Sequence, residues 1–208
     1  MRRIAATLVL LAGAGSAVAG PLDVLFETFE SLSTNNFYTV SAGGQIVTDS
    51  AVWTVTQTSV DVVATNGLQT AKIVSGHDGQ IIDIHGSPGP GAMETLITVE
   101  PGRSYEVSFD YGHLLISDWA SMSVQVFGAD DSVLLSDAVI HFSRELGFFT
   151  GRFIADGSEA TLRFTGLDST NINGGVTLDN IGVIEVVPAP AAASLLGLAG
   201  LAGLRRRR

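Results

Sequence analysis

The sequence predicts an all-β fold, a two-sheet antiparallel β-sandwich of the jelly-roll kind with a short helix at each end of the chain. Three observations lead there. Apolar and polar residues alternate with a period of two, the runs are short and bounded by Gly, Asp, Asn and Ser, and no stretch between the two ends keeps a 3.6-residue period.

The elements follow in order. Predicted strands run from Gln45 to Val47, Trp53 to Thr58, Val60 to Val63, Ala71 to Val74, Ile81 to Ile84 and Ala92 to Val99, then Tyr105 to Tyr111, Met122 to Gly128, Val133 to Ile140, Gly147 to Ile154, Ala160 to Gly166 and Val176 to Val186. Tyr105-Glu106-Val107-Ser108-Phe109-Asp110-Tyr111 shows the rule best: odd positions are apolar and even ones polar, so one face packs and the other is wet. Tyr105, Val107, Phe109 and Tyr111 are therefore core candidates. Met122 to Phe127, Phe149 to Phe153 and Leu162 to Thr165 repeat the alternation. Pro101-Gly102 and Asp130-Asp131 fall between strands, where restricted or permissive backbones make turns. Many short strands at this spacing suit a jelly roll.

A chain of 208 residues has room for one domain of ordinary size, stable without disulfides. Cysteine is absent, which excludes a thiolate nucleophile and Cys-ligated zinc. The formal net charge of −10 understates the acidity of the middle, because Arg2, Arg3, Arg205, Arg206, Arg207 and Arg208 hold six of the eleven basic residues. Lys72, Arg103, Arg144, Arg152 and Arg163 remain against 21 acidic side chains, about −16. Phosphate repulsion at that charge excludes nucleic acid as a partner; hard cations are attracted, and neutral glycans are compatible partners.

Met1 to Ala19 has the three parts of a secretory signal: Arg2 and Arg3, an apolar run from Ile4 to Ala14, and Ala17-Val18-Ala19 as an A-x-A site that leaves Gly20 first. The apolar run is too short to cross a bilayer as a helix, which needs about 20 residues. Export through the Sec translocon follows. The domain plan is a signal peptide over 1–19, a β-sandwich over 20–186 and a sorting signal over 187–208.

That last segment reads Val187-Pro188-Ala189-Pro190, an apolar run from Ala191 to Leu204, then Arg205-Arg206-Arg207-Arg208. The prolines hold the backbone extended and open to a processing enzyme. As a helix the run would span about 21 Å, short of the roughly 30 Å hydrocarbon core, so it is a marginal anchor for transient inner-membrane association. The arginines favour the cytoplasmic side. These residues resemble the PEP-CTERM class of sorting signals in its V-P-x-P-A variant, with Ala189 where the commonest version has glutamate. The resemblance implies processing by an exosortase and residence at the cell surface, outer membrane or extracellular matrix of a Gram-negative bacterium.

Phe29-Glu30, Trp53-Thr54-Val55, Ser59 to Val63, Ile82-Asp83-Ile84-His85-Gly86, Val99 to Phe109 and Gly175-Val176-Thr177-Leu178-Asp179-Asn180-Ile181 occur in an order that resembles the DUF642 or choice-of-anchor C domains. A second Phe-Glu pair, Phe26-Glu27, precedes the first of these. The resemblance covers roughly Asp23 to Val186. It implies a galactose-binding-like jelly roll akin to carbohydrate-binding modules, and a structural Ca²⁺ held by Glu30 and Asp179 with backbone carbonyls. A hard cation seeking several oxygens would pin both ends of the domain there.

Other candidates are weighed on their residues. Asp168-Ser169-Thr170-Asn171-Ile172-Asn173-Gly174 misses the D-x-[DN]-x-[DN]-G spacing and reads as a loop. His77-Asp78 and Asp83/His85 are possible acid/base or metal groups, while His113 and His141 stand alone in sequence. Neither G-x-S-x-G nor H-E-x-x-H occurs. Trp53 alternates with Val55 and belongs to the core; Trp119, after Ile116-Ser117-Asp118 in a loop, is the candidate for stacking on a sugar. The expected function is therefore non-enzymatic: an exported surface protein whose sandwich binds carbohydrate or exopolysaccharide. A purely structural or adhesive surface protein is the alternative, with a hydrolase third.

Overall fold

The computed structural model describes residues 23–66, 73 and 76–187. Among them there are thirteen strands and no helix: β1 Asp23–Glu27, β2 Phe37–Ser41, β3 Gln45–Val47, β4 Val52–Gln57, β5 Ser59–Ala64, β6 Gln80–Asp83, β7 Ala92–Thr98, β8 Ser104–His113, β9 Ala120–Phe127, β10 Val133–His141, β11 Gly147–Ile154, β12 Glu159–Ser169 and β13 Val176–Glu185. One sheet has the order β11-β8-β13-β6-β5-β2, with β1 also on β13; the other has the order β10-β9-β12-β7-β4-β3. All pairings are antiparallel, and the two sheets form a jelly-roll sandwich.

Alternation builds the core. Tyr105, Val107 and Phe109 of β8 are buried, as are Met122, Val124 and Val126 of β9 and Leu162 and Phe164 of β12. Trp53 is completely buried between Phe29 at 6.1 Å and Phe164 at 6.0 Å, and Phe164 meets Phe109 edge-on at 5.2 Å. Tilted and edge-on rings place positive edges against negative faces, about 0.5–1.5 kcal/mol per pair beyond the area buried. Tyr111, expected in the core, is only half-buried at its margin.

Four features depart from the sequence reading. Strand β1 was not expected; it exists because Asp23, Leu25, Phe26 and Glu27 take up the free edge of β13 opposite Ile184, Val183, Gly182 and Ile181. Strand β2 is an edge strand bonded only to β5, and its largely exposed side chains carry no inward alternation. Of the predicted strand Ala71 to Val74 only Ile73 is described, as a single bridge to Leu114. Strand β12 runs past Gly166 to Ser169, so Asp168 lies on a strand end rather than in a loop. The two terminal helices fall outside the described residues.

Register sets up the outer face of the first sheet. Thr39, Asp61, Asp83 and Thr177 are successive cross-strand partners over β2, β5, β6 and β13. Phe37, Val63 and Ile81 form the next row. At the other end of β13, Ile184 pairs with Asp23, so the described chain enters and leaves side by side, about 24 Å along the strand from Thr177 at about 3.4 Å per residue.

Candidate ligand recess

Strands β5 and β6 are buried on both faces. Their outward Val63 and Ile81 pack with Ile73 and Leu114 into a small cluster apart from the main core. Beside it lies a recess of about 150 Å³. Phe37, Val63, Leu114 and Ile116 give it an apolar wall, while Asp61, Ser87 and Asn173 supply polar groups. The loop bearing Ser87 can come so close because Gly91 lacks a side chain: a Cβ there would lie 1.9 Å from the Ser59 carbonyl oxygen.

Asp61 accepts from Thr39 Oγ1 at 2.6 Å, Ser87 Oγ at 3.3 Å and Ser87 N–H at 3.4 Å. Burial raises its pKa above the usual carboxylate value, and those bonds partly oppose the rise. Opposite it, Asp83 is fully buried; Oδ1 accepts from His85 N–H and Gly175 N–H, each at 3.0 Å, while Oδ2 has no hydrogen-bond partner. Burial holds the Asp83 carboxyl well above its ordinary range, and the neighbouring Asp61 charge pushes the same way. The arrangement can place the C–H face of a small ring on Phe37 or Ile116 and accept its hydroxyls on Asp61, Ser87 and Asn173.

The histidines separate into three settings. His113 Nδ1 and His141 Nδ1 are 2.7 Å apart, and His141 Nε2 donates to the Glu145 carbonyl at 2.8 Å. These two residues, isolated in sequence, meet because β8 and β10 end together; burial lowers both pKa values. His77 Nε2 contacts Thr177 Oγ1 at 2.8 Å, and its Nδ1 faces Asp179 Oδ2 at 3.5 Å. His85 points away from Asp83 and is boxed between Gly166 and Gly175, where a Cβ on either would lie 2.4 Å from the ring. Burial lowers its pKa to about 4.

The two residues proposed for calcium each contact the segment from His77 to Gln80. Glu30 Oε1 accepts from Gln80 N–H at 3.1 Å, and Asp179 Oδ2 meets His77. The buried Gln80 Oε1 lacks a hydrogen-bond partner. Carboxylate and amide oxygens are the donor type a hard cation takes. No group of three or more His, Cys, Asp or Glu side chains suited to a metal occurs among the described residues, so backbone and amide oxygens would have to complete the set. The other early carboxylate, Glu27, is buried and has a structural role: it accepts from Phe29 N–H, Thr48 Oγ1 and Trp53 Nε1.

Trp119 is half-buried at the foot of the loop whose Leu114 and Ile116 wall the recess, and its carbonyl accepts from Thr170 N–H at 3.3 Å. It does not line the recess itself. Sequence reasoning missed Phe37, Asp61, Ser87, Ile116 and Asn173, which converge only through strand register and loop packing. Asp61 and Asp83, a carboxylate each on two short apolar strands, were the available signal. Ala17, Ala19, Gly20 and the sorting residues from Pro188 to Arg208 lie outside the described residues; Val187 ends them.

No family model matches the chain. Halomucin of Haloquadratum walsbyi is 28% identical over 156 residues, covering 74% of this chain, which spans about 2% of that protein's length. Among solved structures, the CBM22-1–CBM22-2 tandem domain of Paenibacillus barcinonensis Xyn10C is similar at a TM-score of 0.48 and 18% identity, over 84% of this chain and 48% of that one. The CBM22-1 xylan-binding domain of the same protein gives 0.46 and 17%, over 83% of this chain and all of its own. A CBM4 structure gives 0.41 and 14%, over 78% and 97%.

Proposed function

We propose that this is an exported surface protein, released from its signal peptide and trimmed by an exosortase, whose sandwich binds carbohydrate without catalysis. The observation that carries the binding part is the recess: an apolar wall facing Asp61, Ser87 and Asn173 matches the alternating apolar and hydroxylated surfaces of a sugar. Hydrolysis is disfavoured there. Glycoside cleavage uses two carboxylates flanking the bond, about 5 to 9.5 Å apart; among the residues lining the recess Asp61 is the one carboxylate, and Asp83, beside it on the next strand, is fully buried.

The described chain starts and ends on neighbouring strands, with the recess toward the opposite end of β13. The export part rests on the Arg-apolar-Ala start and the Pro-apolar-Arg end of the sequence.

An oligosaccharide array probed with the purified full chain tests the binding. Saturable binding should weaken at least tenfold in Asn173→Ala and in Ile116→Ala; uniform silence would favour the structural or adhesive reading, and turnover of a polysaccharide would favour a hydrolase. Intact mass of the protein from its native cells tests the export, with loss of Met1 to Ala19 and of the arginine cluster expected.

A further inference from the structure

Four phenylalanines are strongly exposed among the described residues: Phe26, Phe37, Phe142 and Phe148. Three of them, Phe26, Phe37 and Phe148, lie on strands of one sheet, and all three point to its outer face. Phe37 belongs to the recess. Phe26 and Phe148 have no part in it, yet they are 61% and 66% exposed. On the opposite sheet the outward Phe127 is treated differently, since the Arg163 guanidinium covers its ring at 4.8 Å. Single exposed apolar residues need no explanation; two uncovered rings aimed the same way, on either side of a low polar strip, do.

Register defines the strip. Phe26 on β1 is opposite Gly182 on β13, Gly182 opposite Ser108 on β8, and Ser108 opposite Thr150 on β11. Phe148 lies two residues before Thr150, opposite Asp110. At about 4.8 Å between strands and about 3.4 Å per residue, the two rings stand about 16 Å apart. Between them are a glycine and two hydroxyls, so nothing bulky interrupts the path. The carboxylates bordering the strip are already partnered: Asp110 Oδ2 accepts a hydrogen bond from Asn180 Nδ2 at 2.8 Å, and Glu106 Oε2 pairs with Arg152 Nε at 2.8 Å.

We infer that the outer face of β1, β13, β8 and β11 is a second binding site, separate from the recess, for an extended neutral polysaccharide chain. Each ring would take the C–H face of one sugar, whose polarised hydrogens meet the negative π face, while Ser108, Thr150 and Asn180 exchange hydrogen bonds with the units between. A polyanion is excluded by the 21 acidic residues against five basic ones outside the two termini. The same charge opposes a second copy of this chain, and two separated rings lack the contiguous apolar core of a protein interface.

Native electrophoresis of the full chain through gels containing galactomannan, hydroxyethylcellulose or dextran, with alginate as the polyanionic control, tests this. At least one neutral polymer should retard the protein. Phe26→Ala and Phe148→Ala should each raise its apparent Kd at least tenfold, Phe148→Trp should retain binding, and Phe142→Ala, an exposed ring outside the strands of this sheet, should leave retardation unchanged. Circular dichroism of each variant confirms folding, and Phe148→Trp carries the test if either alanine variant unfolds. The site is refuted if no neutral polymer retards the chain, if alginate does so equally, or if both folded alanine variants migrate like the parent. Retardation lost in Asn173→Ala but kept in both folded phenylalanine-to-alanine variants would assign the polymer to the recess and overturn the second site. Array binding lost only in recess variants would leave the recess reading standing by itself.

Discussion

Trp53 Nε1 donates to Glu27 Oε2 at 3.3 Å, tying the first strand of one sheet to β4 of the other through the middle of the core. The carboxylate is buried but well partnered, since Phe29 N–H reaches its Oε1 at 2.7 Å and Thr48 Oγ1 its Oε2. A buried charge persists only when donors replace the water it lost.

Glu27→Gln should therefore destabilise the fold by about 2–4 kcal/mol, because an amide NH₂ would face donors in place of an acceptor. Urea unfolding of parent and variant measures it. A difference below about 0.5 kcal/mol, the range of ordinary surface substitutions, would mean that the triple hydrogen bond is unimportant.

His85 fits only because Gly166 and Gly175 leave space for its ring. Gly166→Ala and Gly175→Ala should each cost about 1–3 kcal/mol by overpacking. Combining either with His85→Ala should cost less than the sum of the single changes. Strict additivity in that cycle would show that the ring does not feel the glycines.

Acid and alkaline limbs of stability should have different owners. His85, with a folded pKa lowered to about 4 from 6.5, binds a proton more readily when unfolded, so its contribution is complete above about pH 6.5 and is lost as pH falls toward 4. His113 and His141 act in the same direction. Asp83 has the opposite sign: its raised folded pKa favours the folded state below the ordinary carboxylate pKa, and that advantage is lost as pH rises through the folded value. Asp83→Asn should gain in Tm relative to the parent as pH climbs from 4 to 8. A pH-independent difference would contradict a raised Asp83 pKa.

Calcium should stabilise the domain through Glu30 and Asp179. At 100 times its dissociation constant a bound ion adds about 2.7 kcal/mol, which thermal unfolding in excess Ca²⁺ and in EGTA resolves. Asp179→Asn and Glu30→Gln should each abolish the difference. Equal Tm values with and without calcium would leave these carboxylates to their contacts with His77 and Gln80.

The strands most legible in the sequence were those with one face packed and one wet, while β5 and β6, buried on both faces, showed as short apolar runs. Tyr105 to Phe109, Met122 to Phe127 and Leu162 to Thr165 write their burial into a period of two. Strands β1 and β2 escaped because they owe their existence to backbone pairing with β13 and β5, partners far away in sequence. The candidate sites escaped for a related reason. Phe37, Asp61, Ser87 and Asn173 share no local pattern, and His113 meets His141 across 28 residues of chain.

What the sequence by itself determined is the all-β class, the core face of the central strands, the placement of Trp53 inside, and the acidic balance of 21 Asp and Glu against 11 Lys and Arg. Each of these depends on side-chain polarity and local spacing, which a linear pattern contains. Only the tertiary structure decided that Asp83 lies buried beside Asp61, that two glycines box in His85, and that Phe26 and Phe148 look out from one face. Those relations come from long-range strand register, where a shift of one residue would turn every side chain to the opposite face.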